Sequence, residues 1–178
     1  ASFAVTYIET YITNGNCPNS STQNVVIFAP DDASFTYGSN QYCTNAGTNP
    51  APNNTTPGGT FTAASGMRIK GSTGVINLGA STPGTYTVTY TTTGSCPNSS
   101  TQQITITGPD NANFFYNASA YCPTAPDPTP LGIVTSGTFS SAPSGLVINP
   151  ATGTIDVSAT KAGAKSVTYT TTGSCPNG

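Results

Sequence analysis

Five cysteines are the residues of this chain whose types and spacing could do chemistry. Cys17, Cys96 and Cys175 are evenly spaced along the sequence, and the same interval separates Cys43 from Cys122. The chain has no histidine and no pair of cysteines at C-x-x-C spacing, so the pattern argues against a zinc site and favours disulfides in an oxidising compartment. A catalytic or redox thiol would need an activating base nearby, and the sequence shows none.

Composition excludes several classes of function. Without histidine there is no His-dependent catalytic triad, and no paired carboxylates suggest a general acid and base, so we predict that the chain is not an enzyme. Four basic and six acidic residues give a net charge of −2, which leaves no basic face for nucleic acid. No apolar run approaches the ~20 residues that span a bilayer, so we predict no membrane insertion.

Acidic and amide side chains recur at two turn-forming junctions, Asp31 and Asp32 at the first and Asp110 and Asn111 at the second. Oxygen ligands of this kind bind Ca²⁺, and calcium stiffens the module boundaries of cadherin-like chains. A complete site needs more carboxylates than one junction offers. Capping of the turns is therefore the favoured interpretation, with Ca²⁺ as the alternative and no other cofactor expected.

The 79-residue interval between equivalent cysteines predicts a tandem array of similar modules. Residues 1–29 match the closing hairpin of a module, residues 30–108 form a complete module, and residues 109–178 form a module that lacks its last strand. The chain has neither an initiator Met nor a signal peptide and is interpreted as a mature fragment. Either it was cut from a continuous repetitive protein, or the start of one copy completes the end of another by strand donation.

Apolar residues alternate with Thr in the strand of the complete module that contains Tyr86, Val88 and Tyr90, which predicts one buried and one solvent-facing side. About seven such strands per repeat, without helical periodicity, predict an all-β fold built of tandem immunoglobulin-like antiparallel β-sandwich modules. The Gly84-x-Tyr86 spacing favours a tyrosine corner. The equivalent structural residues of the other repeats are Tyr7, Tyr11 and Tyr169.

Glu9 breaks this pattern, because it stands where the next repeat has Val88. An unpaired carboxylate on a buried face would cost several kcal/mol. We therefore expect Glu9 to lie near an edge of its module.

Two disulfide pairings fit the cysteine spacing, and each leaves one cysteine over. Cys43 pairs with Cys96 and Cys122 with Cys175 inside one module, leaving Cys17 for an upstream partner, or Cys17 pairs with Cys43 and Cys96 with Cys122 across a junction. In the second pairing a strand of about seven residues, longer than 20 Å, separates the cysteines, whereas Cα atoms must lie within ~7 Å. The pairing inside one module is therefore predicted.

Several stretches resemble known repeats. The run 144–169, SGLVINPATGTIDVSATKAGAKSVTY, resembles the immunoglobulin/cadherin-like repeats of very long bacterial surface proteins. The hairpin TYTVTYTTTGSCPNSSTQ and the strand FFYNASAYC resemble repeats of giant Bacteroidetes adhesins that the type IX pathway exports, including gliding-motility adhesins. Lys165-Ser166 departs from the pattern. The resemblance implies an extracellular, cell-surface location.

The leading functional hypothesis is a structural repeat of a long adhesin or filament stalk, whose partners are the neighbouring repeats and whose adhesive region lies elsewhere, in attachment or gliding motility. A second hypothesis is a module that binds glycans or surfaces through the polar loops Thr44–Gly59 and Pro123–Gly137. A third is an accessory domain of a secreted hydrolase.

Overall fold

The computed structural model describes residues 4–54 and 56–178. Its regular structure is all-β and mostly antiparallel, which confirms the predicted β-sandwich class, and a single 3₁₀ turn at Leu78–Ala80 is the only helical element among the described residues. The chain divides into two compact units, Ala1–Tyr42 with Ala46–Ile106, and Cys43–Asn45 with Thr107–Gly178.

The first unit begins with a two-stranded antiparallel hairpin. Strand β1 (Ala4–Ile12) pairs with β2 (Ser20–Phe28), and Glu9 lies opposite Gln23. Every residue of both strands is exposed, including Tyr7 and Tyr11. No described residue covers the apolar face of the hairpin, so the structural role of these two tyrosines in the core of a module stays a prediction.

A four-stranded sheet follows, in the order β4-β8-β7-β6. The strands of this part of the chain are β3 (Phe35–Thr36), β4 (Gln41–Cys43), β5 (Asn53–Asn54), β6 (Thr60–Ala63), β7 (Gly84–Thr91) and β8 (Ser99–Thr107). The short strands β3 and β5 pair with each other outside this sheet. Strand β8 is the last of these six strands in sequence. It lies between β4 and β7, and its backbone is therefore hydrogen-bonded on both edges.

The core of the first unit forms where apolar side chains alternate along β7 and β8. Tyr86, Val88 and Tyr90 from β7, and Ile104 and Ile106 from β8, are all buried. The intervening Thr side chains of these strands are mostly exposed. Period-two alternation therefore produces the buried face that it predicts.

An aromatic cluster recurs in both units. In the first unit Phe61 stacks on Tyr90 at 4.4 Å and meets Phe35 edge-on at 5.4 Å between ring centroids. In the second unit Phe139 lies 4.5 Å from Tyr169 and 5.4 Å from Phe114. The two sequence repeats thus build the same packing unit.

A tyrosine corner fixes the start of β7. The Tyr86 hydroxyl donates to the carbonyl of Thr82 at 2.8 Å. In the second unit Lys165 stands in the place of Tyr86, and its Nζ donates to the carbonyl of Ser144 at 3.0 Å. The repeat replaces a phenol by an ammonium group while keeping a bond to a nearby backbone carbonyl.

The second unit has less paired structure than the first. Its strands are β9 (Gly137–Ala142), β10 (Val147–Ile148), β11 (Ile155–Asp156) and β12 (Ser166–Thr171). Strand β12 pairs with β9, with Tyr169 opposite Phe139, and β10 pairs with β11. Within the described residues β9 is the one strand that pairs with β12, and the amide of Thr171 on β12 also donates to the carbonyl of Asn177 at 2.8 Å.

Two phenols are held by equivalent hydrogen bonds. The Tyr37 hydroxyl donates to the carbonyl of Gly74 at 2.5 Å, and the Tyr116 hydroxyl donates to that of Gly153 at 2.6 Å. Burial, and to a smaller extent the neighbouring Tyr42, raises the pKa of Tyr37 above its ordinary value. Burial likewise raises the pKa of Tyr116.

These raised pKa values predict alkaline destabilisation. A tyrosine whose folded pKa lies above its unfolded value of about 10 leaves stability unchanged below that value, and stability is lost as the pH rises beyond it. We expect Tyr37→Phe to flatten the loss of unfolding free energy above that pH, as measured by urea unfolding at a series of pH values. Tyr11→Phe, at an exposed phenol, is the control, and equal slopes for the two variants would contradict the prediction.

Candidate functional site: the disulfide and the strand tips

A disulfide joins Cys43, the last residue of β4, to Cys175, in the turn after β12. Their Cα atoms are 5.5 Å apart, a normal separation for a disulfide. Cys175 is fully buried. The two cysteines are 132 residues apart and come from successive sequence repeats, although both belong to the second compact unit.

Backbone and amide hydrogen bonds surround this disulfide. The amide of Thr44 donates to the carbonyl of Thr107 at 2.9 Å, which places Cys43 beside the end of β8. Asn45 Nδ2 donates to the carbonyl of Pro176 at 2.8 Å. The bond is therefore one of several links between the segment 43–45 and the turn that carries Cys175.

Cys96 lies in the turn after β7 and Cys175 in the turn after β12, and these two turns are called the strand tips. Each of these cysteines lies against the end of the last strand of the preceding repeat. Cys175 Sγ is 3.8 Å from the carbonyl oxygen of Thr107, the last residue of β8. The Cys96 thiol donates to the carbonyl of Phe28, the last residue of β2, at 3.6 Å. Cys96 and Cys175 therefore occupy equivalent places in their repeats.

The predicted disulfides Cys43–Cys96 and Cys122–Cys175 are wrong, because Cys43 is bonded to Cys175. The expectation assumed that Cys43 lies at the same end of its module as Cys96. Strand β8 in fact separates them: Cys96 precedes it and Cys43 lies beside its last residue. Nine residues at ~3.3 Å each make about 30 Å, far beyond the reach of one disulfide.

The alternative pairing, Cys17 with Cys43 and Cys96 with Cys122, is not present either. Cys17, Cys96 and Cys122 are free thiols, with Cys17 and Cys122 exposed and Cys96 half-buried. Each occupies a repeat position whose counterpart elsewhere in the chain is Cys175 or Cys43.

Asp31 and Asp110, the aspartates of the two junctions, form hydrogen bonds to the strand tips. The amide of Asp31 donates to the carbonyl of Cys96 at 2.9 Å, and the Thr92 hydroxyl donates to Asp31 Oδ2 at 3.1 Å. In the second unit the amide of Asp110 donates to the carbonyl of Cys175 at 2.7 Å. Sequence analysis placed these aspartates in turns but missed the contacts, which join residues more than 60 positions apart.

A glycine in each tip makes this approach possible. A Cβ atom on Gly94 would overlap the carboxylate of Asp31, and one on Gly173 would overlap that of Asp110. Real Cβ atoms do not come so close, so no larger residue fits without a shift. The glycine of the recurring TTTGSC motif is the sequence signal that could have revealed the contact.

The side chains that follow these aspartates cap turns. Asp32 Oδ1 accepts the amide of Ser34, and Asn111 Oδ1 accepts the amide of Asn113, each at 2.9 Å. This is the Asx-turn pattern expected of Asp and Asn at such positions. Nowhere in residues 4–54 and 56–178 do three or more His, Cys, Asp or Glu side chains gather as metal ligands. The calcium site therefore stays a hypothesis, and no cluster of ligands among the described residues supports it.

Each of the two polar loops is held by a hydrogen bond to a later part of the chain. In Thr44–Gly59, Asn49 Oδ1 accepts the amide of Leu78 at 2.9 Å. In Pro123–Gly137, Asp127 Oδ1 accepts the amide of Val157 at 3.0 Å. Both loops therefore serve a structural purpose in their units, whatever else they contact.

No family model matches the chain, and none of the curated proteins matches it. Over the part of the chain that the structure describes, we find no helix of sufficient length and hydropathy to cross a bilayer.

We predict that Cys43→Ser lowers the free energy of unfolding of the second unit by about 4 to 5 kcal/mol, because the disulfide closes a loop of more than 100 residues in the unfolded chain. Urea unfolding without reductant, followed by circular dichroism, measures the change. The matched control is Cys17→Ser, which removes an exposed free thiol and should leave unfolding unchanged. Coincident curves for the two variants would show that Cys43 carries no cross-link.

Proposed function

We propose that the chain is a structural repeat of a long extracellular fibre, the stalk of a cell-surface adhesin, in which the repeats carry load and display an adhesive region located elsewhere. The observation that carries the proposal is the disulfide between successive repeats, from Cys43 to Cys175. A bond of this kind is suited to tension along the chain, whereas a bond within one module would protect that module alone.

Covalent connectivity explains why this disulfide is suited to tension along the chain. The bond shortens the path between Cys43 and Cys175 from 132 residues to a single bridge. A force applied to the ends of the chain therefore bypasses the segment 44–174, which contains the aromatic pairs Phe61–Tyr90 and Phe139–Tyr169. These pairs cannot be drawn out while the bridge is intact.

Repetition extends the same protection along a fibre. A short stretch of constant length joins the cysteine of each strand tip to the next cysteine, as from Cys17 to Cys43 and from Cys96 to Cys122. Suppose that every repeat formed a disulfide equivalent to Cys43–Cys175. The shortest covalent path along the fibre would then consist of disulfides alternating with such stretches of backbone. Two repeats could then extend by only about 90 Å, however large the force, because the stretch has ~26 residues of ~3.3 to 3.6 Å each.

The surface chemistry is consistent with a fibre. Only ten of 178 residues are charged, and the solvent-facing sides of β7 and β8 consist of Thr, Ser and Gln. β-Branched polar residues hold strand conformation without offering apolar patches. Identical neighbours of such composition repel one another only weakly.

Force spectroscopy tests the proposal. We expect a chain pulled by its two ends to release about 450 Å more contour length after reduction than before it, because the 132 residues between Cys43 and Cys175 extend by ~3.3 to 3.6 Å each. Cys43→Ser should behave like the reduced parent, and Cys17→Ser like the oxidised parent. Equal contour lengths with and without reductant would refute the load-bearing role.

A further inference from the structure

Arg68 and Lys70 are the two basic residues in the sequence of the first compact unit, and they lie two positions apart. The extended segment that contains them pairs with a later segment through the antiparallel bridge between Ile69 and Ile76. Ile76 is buried, and Ile69 packs against the core. Because side chains alternate along an extended segment, Arg68 and Lys70 share the opposite side, and both are exposed.

Backbone hydrogen bonds fix the positions from which these two side chains project. The carbonyl of Arg68 accepts the amide of Asn77 at 2.7 Å, and the amide of Lys70 donates to the carbonyl of Val75 at 2.9 Å. The amide of Arg68 donates to Ser81 Oγ at 2.9 Å. The backbone beneath the two cations is therefore ordered before a ligand binds, which lowers the entropic cost of binding.

Arg68 and Lys70 line an open groove of about 610 Å³, a volume in the range of small-molecule sites. The polar side chains of Asn49, Thr73 and Asn77 also line it. None of the described residues that line the groove is acidic. The two positive charges are therefore not neutralised by a carboxylate of the groove itself.

The two asparagines of the groove offer donors rather than acceptors. Asn49 Oδ1 accepts the amide of Leu78 at 2.9 Å, and Asn77 Oδ1 accepts the amide of Ala80 at 3.2 Å. Their side-chain oxygens are thus engaged, and the remaining Nδ2 groups can only donate. A guanidinium, an ammonium and two amide groups together complement a ligand that is negatively charged and rich in acceptors.

The second unit makes the counterparts of both asparagine bonds with carboxylates. Asp127 Oδ1 accepts the amide of Val157 at 3.0 Å, and Asp156 Oδ1 accepts the amide of Ala159 at 2.9 Å. Asp and Asn therefore serve the fold equally at these two positions. Only Asn adds N–H donors without adding negative charge.

The two cations are also specific to the first unit. Val147 and Asn149 stand in the places of Arg68 and Lys70. The segment that carries them pairs all the same, as β10 with β11. The fold of the repeat thus requires neither cation. One unit has two positive charges where the other has two negative ones, so the groove of the first unit has a chemistry that folding does not explain.

The groove distinguishes between classes of anionic ligand. None of the described residues that line it is aromatic, so it offers no ring on which a neutral sugar could stack. The backbone groups beside the cations are already hydrogen-bonded, so an extended acidic peptide could not add to this segment as a strand. Side-chain donors and positive charge remain, and these suit the charged groups and hydroxyls of an acidic polysaccharide.

We propose that this groove binds the oxyanions of an acidic polysaccharide, either carboxylates or sulfate esters. Arg68 pairs with one oxyanion through its planar fork of donors, and Lys70 supplies the second charge. Asn49 and Asn77 donate to acceptors beside the oxyanion. All of these residues belong to the first unit, so the binding is independent of the disulfide and of the load-bearing role.

Titration of the ¹⁵N-labelled chain with an oligosaccharide of galacturonic acid tests the proposal. We expect the amide signals of residues 68–77 to shift, and a neutral galactose oligosaccharide of the same length to leave them in place. The affinity should fall as salt is added, because exposed charges are screened. Unmoved signals in residues 68–77, or equal shifts with the neutral oligosaccharide, would overturn the proposal.

Two further ligands identify the carrier of the oxyanion. Inorganic sulfate presents a single small anion, and poly-glutamate presents carboxylates on a peptide. Both should bind more weakly than the acidic oligosaccharide, because neither combines a series of charges with hydroxyl acceptors for the two asparagines. Equal affinity for sulfate, or equal affinity for poly-glutamate, would overturn the assignment to a polysaccharide.

Variants taken from the second unit test the side chains. The double variant Arg68→Val, Lys70→Asn introduces residues that the repeat already accommodates, and we expect it to lose about tenfold or more in affinity with the loss of charge-assisted hydrogen bonds. Asn77→Asp keeps an acceptor for the Ala80 amide and should weaken binding as well. The control Lys161→Gln removes a positive charge from the second unit and should retain the affinity. Unchanged affinity in the double variant, or an equal loss in the control, would contradict binding in this groove.

Discussion

The length of strand β8 determines which parts of this molecule can meet. Its nine residues separate the tip that carries Cys96 from the end that lies beside Cys43, by about 30 Å at the ordinary rise of a strand. A cysteine at the tip therefore cannot reach the other cysteine of its own repeat. It lies instead against the end of the preceding repeat's last strand, as Cys175 does beside Thr107. The bond between repeats is thus a consequence of strand length and of where each tip is fastened.

Alternation along one strand was enough to predict the core of the first unit, but it does not show whether the same pattern is covered elsewhere. Burying one face of a strand imposes a period of two, so Tyr86, Val88 and Tyr90 could be assigned to a core from the sequence. Tyr7 and Tyr11 carry the same pattern and are exposed. A pattern shows which face is apolar, but whether another part of the structure covers that face depends on residues far away in the chain.

Long-range contacts explain why the candidate site was harder to predict than the fold. The Asp31 carboxylate meets Thr92 across 61 positions, and Cys43 meets Cys175 across 132. Spacing alone was compatible with several cysteine pairings, because it does not show at which end of a sheet each cysteine lies. That information comes from the neighbours of β8, and no local signal encodes the pairing of β4 with it. The glycine in each tip is the one local trace of these contacts, since only a residue without Cβ admits the aspartate.

Glu9 shows how one residue interrupts a repeated pattern. It lies on β1 opposite Gln23, whereas Val88 lies opposite Gln102 in the next repeat. Val88 is buried in the core of the first unit, and Glu9 is exposed like every other residue of β1. Because an unpaired carboxylate on a buried face would cost several kcal/mol, the charge suits the exposed hairpin and would not suit a closed core. Natural proteins use such charges to restrain exposed strands from pairing with other chains.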